Sequence, residues 1–302
     1  MTGGNATDTG MLQGTLIRGM GGFYTVVDPE GAEYTLRCKK KFRRMHLSPL
    51  VGDEVLFTPG SGEEHGWVEE ILPRTSECLR PPVANVALLL IVVAPVPEPD
   101  LMLVDRLMIR ARAQGMDMVL VINKCDLDES LAEELRRQYA GAEVPVCAVS
   151  AVNESGLDEL RALMGSRLCC LTGQSGVGKS TLLNALLGLQ LETGEISRKI
   201  QRGKNTTRHA ELLLKDGMRV LDTAGFSLLE LDGRMEPITL KDHYPEFAAY
   251  EGECRFEPCY HDREPGCRVT EACAAGRIDP RRLERYRALL SDVKQAWRDR
   301  YD

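Results

Sequence analysis

Leu168-Cys-Cys-Leu-Thr-Gly-Gln-Ser-Gly-Val-Gly-Lys-Ser180 determines the architecture of the middle of this chain. An apolar run ends in the pattern G-x-x-x-x-G-K-S, and a helical pattern follows it as far as Leu187. A strand, a glycine-rich turn and a helix in this order are the context that the phosphate-binding P-loop requires. The glycines let backbone N–H groups turn toward a phosphate, and the helix N-terminus adds a positive dipole. The stretch therefore predicts a nucleotide-binding α/β domain.

Within this P-loop we expect Lys179 to reach the β- and γ-phosphates and Ser180 to bind Mg²⁺ through its hydroxyl. The residues predicted to contact the nucleotide here are Gly173, Gln174, Ser175, Gly176, Val177, Gly178, Lys179, Ser180 and Thr181.

A second nucleotide motif, Asn123-Lys-Cys-Asp126, comes before the P-loop in the chain. The Asp126 carboxylate can accept two hydrogen bonds from guanine N1–H and N2–H₂, and adenine offers no matching pair. The aliphatic stem of Lys124 can cover the base and ribose, and Ser150-Ala151 can offer a backbone N–H to guanine O6. In ordinary small GTPases the P-loop comes first. The reversed order predicts a circularly permuted P-loop GTPase domain.

The segment Asp222-Thr-Ala-Gly225 supplies the pattern D-x-x-G at the end of a predicted strand. We expect Asp222 to hold Mg²⁺ through water and the Gly225 N–H to contact the γ-phosphate. Between the two motifs lie Thr206 and Thr207, one of which is expected to complete the Mg²⁺ shell; Thr206 is our first choice, and the pattern alone does not separate them. Residues 196–208 are thus predicted to form a nucleotide-sensing switch. The predicted catalytic residues are Lys179, Thr206, Thr207, Asp222 and Gly225.

The position directly after D-x-x-G is Phe226, where Ras-like enzymes have a glutamine that orients the attacking water. Phenylalanine has no polar group for this task. We therefore expect slow intrinsic hydrolysis of GTP.

The first 80 residues show five short β-branched runs separated by glycines and turns, as expected for a small β-barrel. An OB-type barrel fits this spacing, and strand alternation alone does not separate it from an SH3-like barrel. After Pro81-Pro82 strands alternate with helical stretches, which is typical of a parallel α/β sheet. We expect a multidomain α/β chain with an OB-fold-like RNA-binding domain at 1–80, the GTPase domain at 81–235 and a zinc-binding helical module at 236–302.

The zinc module is predicted from Cys254-x₄-Cys259-x-His261-x₅-Cys267. Three thiols and one imidazole are a known structural Zn²⁺ set, so we expect one structural zinc ion. Cys273 lies in an apparent helix and is not expected to be a ligand. A final helix is predicted from Pro280 onward.

Charge is distributed unevenly along this acidic chain of 302 residues, whose formal net charge is −7. Residues 37–44 carry six basic groups, and a second basic run spans 198–209. Each alone can be a solvated surface, but two such runs favour contact with RNA phosphates. Residues 1–10 have no basic start and no apolar run, so we expect no leader peptide and no membrane-spanning segment. We expect a cytoplasmic protein whose ten cysteines are thiols or metal ligands.

Together these motifs resemble the ribosome small subunit-dependent GTPase family, RsgA or YjeQ, over nearly the whole chain. Family-like phrases include Arg80-Pro-Pro-Val-Ala-Asn85, Leu103-Val-Asp-Arg-Leu107 and Arg202-Gly-Lys-Asn-Thr-Thr207. The resemblance implies hydrolysis of GTP to GDP stimulated by the 30S subunit, contact with its rRNA, and a role in late small-subunit maturation. We also expect a monomer. The family usually has histidine before the two threonines, whereas this chain has Asn205, so no role of that histidine carries over.

Two functions follow from these observations. The first is an enzyme that binds the 30S subunit and hydrolyses GTP during its maturation. The alternative is an rRNA-docking module in which GTP sets the conformation and hydrolysis is incidental.

Overall fold

The computed structural model describes residues 10–45, 47–61, 64–79, 82–189, 210–223 and 235–300. The chain divides into two compact units. The first comprises Met1–Leu88, Met164–Leu171 and Gln190–Ser227, and the second comprises Leu89–Leu163, Thr172–Leu189 and Leu228–Asp302. No helix in the described parts of the chain is long and apolar enough to cross a membrane.

The first unit contains a closed five-stranded barrel. Its strands pair in the order β1-β2-β3-β5-β4 and close by pairing of β4 with β1. All of these pairings are antiparallel except the parallel pair of β3 and β5. A short helix, α1, lies between β3 and β4. This arrangement confirms the predicted N-terminal barrel, whose elements are β1 (Leu12–Met20), β2 (Phe23–Val27), β3 (Glu33–Cys38), α1 (Lys40–Arg44), β4 (Glu54–Thr58) and β5 (Gly66–Ile71).

Alternation along these strands fills the barrel with apolar side chains. The fully buried residues Leu16, Val26, Leu36, Val55, Phe57 and Val68 come from all five strands. At the start of β5 the backbones are so close that a Cβ on Gly66 would lie 2.4 Å from the carbonyl oxygen of Thr58. Glycine is therefore required where β5 crosses β4.

The rest of the first unit extends the barrel sheet. β11 (Leu168–Thr172) lies parallel to β13 (Met218–Thr223), and β12 (Ala210–Lys215) lies antiparallel to β13 and to β1. β6 (Glu77–Leu79) and β7 (Pro82–Ala84) form a separate two-stranded sheet, and the Ala84 N–H donates to the Val51 carbonyl oxygen at 2.9 Å. Cys169 and Cys170 on β11 are fully buried, which fits apolar packing on a core strand.

The second unit carries an α/β layer. Its strands are β8 (Leu88–Val93), β9 (Asp117–Ile122) and β10 (Val146–Ala148), with β9 between the other two. β9 and β10 are parallel, and every residue of β8 is buried. The helices are α2 (Leu101–Ala113), α3 (Ser130–Gln138), α4 (Leu157–Met164) and α5 (Lys179–Leu187). In such sheets ligands bind at the carboxyl ends of the strands.

The end of the chain packs helices around one apolar cluster. It contains a 3₁₀ helix (Pro237–His243), α6 (Pro245–Ala248), α7 (Arg268–Ala274) and the long α8 (Pro280–Asp299). α8 begins as helices commonly do, with Asp279 capping the Arg281 N–H and proline at the first helical position. Its buried face includes Leu283, Tyr286 and Leu290, which pack with Phe247 and Val269.

A buried ion network joins α8 to α2. Asp105 on α2 is fully buried and accepts hydrogen bonds from Arg282 (2.6 Å), Arg285 (2.7 Å) and the Tyr139 hydroxyl (2.8 Å). Arg282 is 1% exposed and also donates to Glu246 at 2.8 Å. Buried charges are tolerated only when they are paired in this way, so the network fixes α8 against the nucleotide-domain helix α2.

Removal of the central carboxylate should therefore be costly. We expect Asp105→Ala to lower the free energy of unfolding of the second unit by about 3–5 kcal/mol, because two arginines lose a buried partner. The matched control is Asp292→Ala, which breaks an exposed pair with Arg106 and should cost less than about 1 kcal/mol. Urea-induced unfolding, followed by the fluorescence of Trp297 on α8 in proteins that also carry Trp67→Phe, measures both. Equal losses in the two variants would contradict a structural role for the network.

Candidate nucleotide-binding and metal-binding sites

The P-loop has the backbone conformation that its glycines allow. Gly173, Gly176 and Gly178 have φ values of +132°, +84° and +89°. A Cβ on Gly173 would lie 2.1 Å from the Val92 carbonyl oxygen, so this position requires glycine. The Lys179 ammonium donates to the carbonyl oxygens of Gly173 (2.8 Å) and Gln174 (2.7 Å), and burial lowers its pKa. The P-loop carbonyl oxygens therefore hold the Lys179 ammonium in a place where it can contact a phosphate instead.

The side chain of Asn123 connects three of the predicted segments. Asn123 is 1% exposed, and its Nδ2 donates to the Val177 carbonyl oxygen of the P-loop at 2.9 Å. Its Oδ1 accepts the backbone N–H of Ala151 at 3.2 Å. The N-K-x-D segment, the P-loop and the Ser150-Ala151 segment therefore meet at one buried amide.

Lys124 and Gln174 bind a loop that sequence reasoning did not single out. Lys124 has a φ of +58°, and its ammonium donates to the carbonyl oxygens of Val96 (2.7 Å) and Gly176 (2.8 Å). The Gln174 side chain accepts the Asp100 N–H at 2.7 Å and donates to the Glu98 carbonyl oxygen at 2.9 Å. The segment 96–100, which follows β8, is thereby held against the P-loop. In the sequence, the prolines of this segment indicate only that the preceding strand ends there.

The residues predicted to read the base differ in whether their hydrogen-bonding groups already have partners. Asp126 is exposed at the surface. The backbone N–H groups of Ser150 and Ala151 already have partners, the Ser155 carbonyl oxygen (3.0 Å) and Asn123 Oδ1 (3.2 Å). Contact between Ala151 and guanine O6 therefore requires that the longer of these two bonds be exchanged.

Asp222 is the penultimate residue of β13 in the first unit. Its carboxylate is half-buried and receives no hydrogen bond from any residue in the described part of the chain. Burial raises the pKa of Asp222, and Glu211 on β12 raises it further. An oxygen ligand with unmet charge is what a hard cation such as Mg²⁺ binds, so Asp222 fits its predicted task. Thr206, Thr207, Gly225, Asn205 and Phe226 lie outside the described residues.

The four predicted zinc ligands form one cluster in the second unit. Their ligand atoms all lie within 4.8 Å of one another, and Cys273 is not among them. His261 Nδ1 lies 3.7 Å from the Cys254 sulfur and 3.5 Å from the Cys267 sulfur. The cluster could hold a metal ion.

The surroundings of the cluster favour a cation. His261 Nε2 lies 3.0 Å from a carboxylate oxygen of Glu251, an arrangement that orients metal-bound imidazoles. The Arg268 N–H donates to the Cys254 sulfur at 3.3 Å. Burial raises the pKa of the Cys259 thiol, and the positive charge of a bound metal would favour its thiolate. Neither Glu251 nor the Arg268 N–H was predicted from the sequence.

Comparison with known proteins agrees with this geometry. Residues 71–232 match the RsgA GTPase family, and residues 13–68 match the RsgA N-terminal domain. A relative from Ruminiclostridium cellulolyticum is 43% identical over 290 residues, which cover 94% of each chain. A relative from Geobacillus thermodenitrificans is 42% identical over 292 residues, 94% of this chain and 98% of its own. Both are named small ribosomal subunit biogenesis GTPase RsgA.

Two solved structures are similar over almost the whole chain. YjeQ from Thermotoga maritima has a TM-score of 0.81 at 34% identity, and covers 94% of this chain and 98% of its own. YloQ, described as a circularly permuted GTPase, has a TM-score of 0.78 at 28% identity, with 96% and 98% covered. These findings identify a circularly permuted P-loop GTPase. The chain belongs to the RsgA GTPase family and is a GTP hydrolase, which confirms the resemblance found in the sequence.

Proposed function

We propose that this GTPase binds the 30S ribosomal subunit during late small-subunit maturation and that the subunit stimulates its hydrolysis of GTP. The observation that carries the guanine-nucleotide part is the Asn123 side chain, which joins the base-reading segment to the P-loop. The ribosomal part is supported by the names of the two relatives and by the aromatic and basic surface of the barrel.

In this proposal Asp126 accepts hydrogen bonds from the guanine base and the stem of Lys124 covers the base. Asn123 holds the base-reading segment against the P-loop. The P-loop residues Gly173 to Thr181 surround the phosphates, and the Lys179 ammonium exchanges its two carbonyl partners for phosphate oxygens. A bound Mg²⁺ would supply positive charge beside the phosphates, where charge develops during transfer. Its proposed ligands are Ser180, Thr206 and Asp222.

The identity of one residue explains why a partner is needed. Phe226 offers no polar group to the attacking water, so Lys179 and the P-loop bind GTP without completing the catalytic arrangement. We infer that docking supplies the missing group, from the subunit or from an ordered switch that places Thr206, Thr207 or the Gly225 N–H near the water.

Guanine selectivity can be tested at the carboxylate. We expect Asp126→Asn to weaken GTP binding at least about tenfold, since a hydrogen bond to a charged group contributes about 1.5–3 kcal/mol. The same variant should gain affinity for xanthosine triphosphate, whose base offers an acceptor where guanine offers a donor. Equilibrium binding of both nucleotides measures this. Asp128→Asn, two residues further on, is the control and should bind GTP like the parent; unchanged GTP affinity in Asp126→Asn would refute the assignment.

The barrel presents a surface suited to RNA. Phe23, Arg37 and Trp67 lie side by side across β2, β3 and β5, because each is the register partner of the next. The Arg37 guanidinium lies 4.5 Å from the centre of the Phe23 ring, the His65 ring packs on the same phenylalanine at 4.8 Å, and Trp67 is 43% exposed. Aromatic rings among cations stack unpaired bases and attract phosphate.

The basic run 37–44 adds charge beside this surface. Helix α1 buries Phe42 and leaves Lys40, Lys41 and Arg44 exposed, while Lys39 pairs with Glu69 at 2.5 Å. We propose that residues 1–80 form an RNA-binding domain, followed by a GTPase domain at 81–235 and a zinc module at 236–302. We further propose a cytoplasmic monomer.

Charge reversal tests the RNA contact. Replacement of Lys39, Lys40 and Lys41 by Glu should weaken 30S binding and reduce the slope of log affinity against log salt by about 1 for each of these lysines that binds a phosphate in the parent. Binding at several salt concentrations measures the slope, and thermal unfolding shows whether the barrel remains folded. If the folded variant binds the 30S subunit as tightly as the parent at every salt concentration, these lysines form only a solvated face.

We also propose one structural Zn²⁺ per chain, held by Cys254, Cys259, His261 and Cys267. Four protein ligands leave no open position for catalysis, so the metal stabilises the fold.

Elemental analysis tests the zinc site. Purified protein should contain one zinc per chain, and Cys259→Ala should lose it and unfold its C-terminal module at lower temperature. Cys273→Ala, which removes a nearby thiol outside the cluster, should retain the metal. Absence of zinc from the parent, or full retention in Cys259→Ala, would contradict the proposal.

A further inference from the structure

Three charged residues form a row across β1, β12 and β13 in the first unit. Arg18 on β1 is the register partner of Glu211 on β12, and Glu211 is the register partner of Asp222 on β13. Register partners project from the same face of a sheet, so the three side chains are neighbours. Arg18 Nε donates to a carboxylate oxygen of Glu211 at 3.1 Å, and its terminal nitrogen contacts the same oxygen. The Glu211 carboxylate therefore lies between a guanidinium and a second carboxylate.

This row is unusual because two carboxylates stand opposite each other. Like charges in register on neighbouring strands destabilise a sheet. Arg18 on barrel strand β1 compensates the charge of Glu211, but no described residue donates a hydrogen bond to the Asp222 carboxylate. Among the described residues, one negative charge is thus left uncompensated at the carboxyl end of β13. A cation bound at Asp222 would compensate it.

The row is held rigidly by the opposite face of β13. Arg219, three residues before Asp222, donates to Glu54 Oε1 at 3.0 Å and to Thr15 Oγ1 at 3.2 Å. Thr15 and Glu54 belong to barrel strands β1 and β4. Arg219 therefore joins β13 to the barrel on one face of the sheet, and on the other face Arg18 of β1 joins the neighbouring strand β12 through Glu211.

We propose that Glu211 and Arg18 are positioning residues for Mg²⁺ at Asp222. This inference rests on the proposed role of Asp222. Glu211 supplies a second negative charge beside the metal-binding carboxylate, and Arg18 of the barrel offsets part of that charge. An anion that draws Arg18 away from Glu211, such as an RNA phosphate on the barrel, strengthens cation binding at Asp222.

The coupling acts in both directions, as linkage requires. A cation at Asp222 attracts Glu211, weakens the hold of Glu211 on Arg18 and leaves the guanidinium available to an anion. Binding of Mg²⁺ with its nucleotide and binding of RNA to the barrel thus favour each other through three side chains.

The test measures the Mg²⁺ concentration needed for half-maximal binding of a fluorescent, non-hydrolysable GTP analogue. Arg18→Gln should lower this concentration roughly two- to fivefold and Glu211→Gln should raise it by a similar factor, as for other partly exposed charge pairs. In the double variant the effect of Arg18→Gln should largely disappear, because there is no carboxylate left to release. Arg18→Lys keeps the charge and should restore the parental value.

Two controls remove the same charges elsewhere in the first unit. Lys215→Gln acts at the other end of the β12–β13 hairpin, and Glu69→Gln acts on β5, which β4 and β1 separate from β12. Both should match the parent. If Arg18→Gln and Glu211→Gln need the same Mg²⁺ concentration as a parent that requires Mg²⁺, the row is purely structural and this inference is wrong. If the parent itself shows no Mg²⁺ requirement, the proposed role of Asp222 fails first, and the inference fails with it.

Discussion

The proposed nucleotide site depends on one buried hydrogen-bonded amide, that of Asn123. It binds the P-loop through Val177 and the Ser150-Ala151 segment through Ala151, and a Cβ on Gly178 would come within 2.5 Å of its nitrogen. In a permuted chain the base-reading segment and the phosphate-reading segment no longer follow the usual order, so their alignment needs a direct contact. A buried amide with specific partners on both sides provides this alignment, because misplacement leaves polar groups unpaired.

A continuous set of contacts leads from this site to the end of the chain. Gln174 of the P-loop binds Asp100, the residue that caps α2, and α2 carries Asp105, to which Arg282 and Arg285 of α8 bind. α8 packs in the same apolar cluster as Cys259 and Cys267. A partner that displaced the Cys/His cluster would therefore act on α2, the helix whose capping residue contacts the phosphate-binding loop.

Much of this arrangement was predicted from the sequence because it depends on local patterns. Positive-φ glycines, β-strand alternation and Cys/His spacing each leave a signature within a few residues. The interactions that were missed are formed between residues far apart in sequence: the Asp105 network, the pairing of β12 with β1, and Glu251 beside His261. Helix α1 was not predicted, because it lies within a basic run in which Phe42 is the one apolar residue that indicates a buried face. The engaged N–H groups of Ser150 and Ala151 could be found only from the backbone geometry.

The catalytic arrangement of this GTPase is, in our interpretation, completed by its partner. Single-turnover release of phosphate from GTP, with and without purified 30S subunits, is the decisive measurement. We predict slow hydrolysis by the protein alone and at least a tenfold faster rate with subunits, which corresponds to about 1.4 kcal/mol of barrier. Release that is equally fast in both conditions would contradict this interpretation and favour an rRNA-docking module in which hydrolysis is incidental.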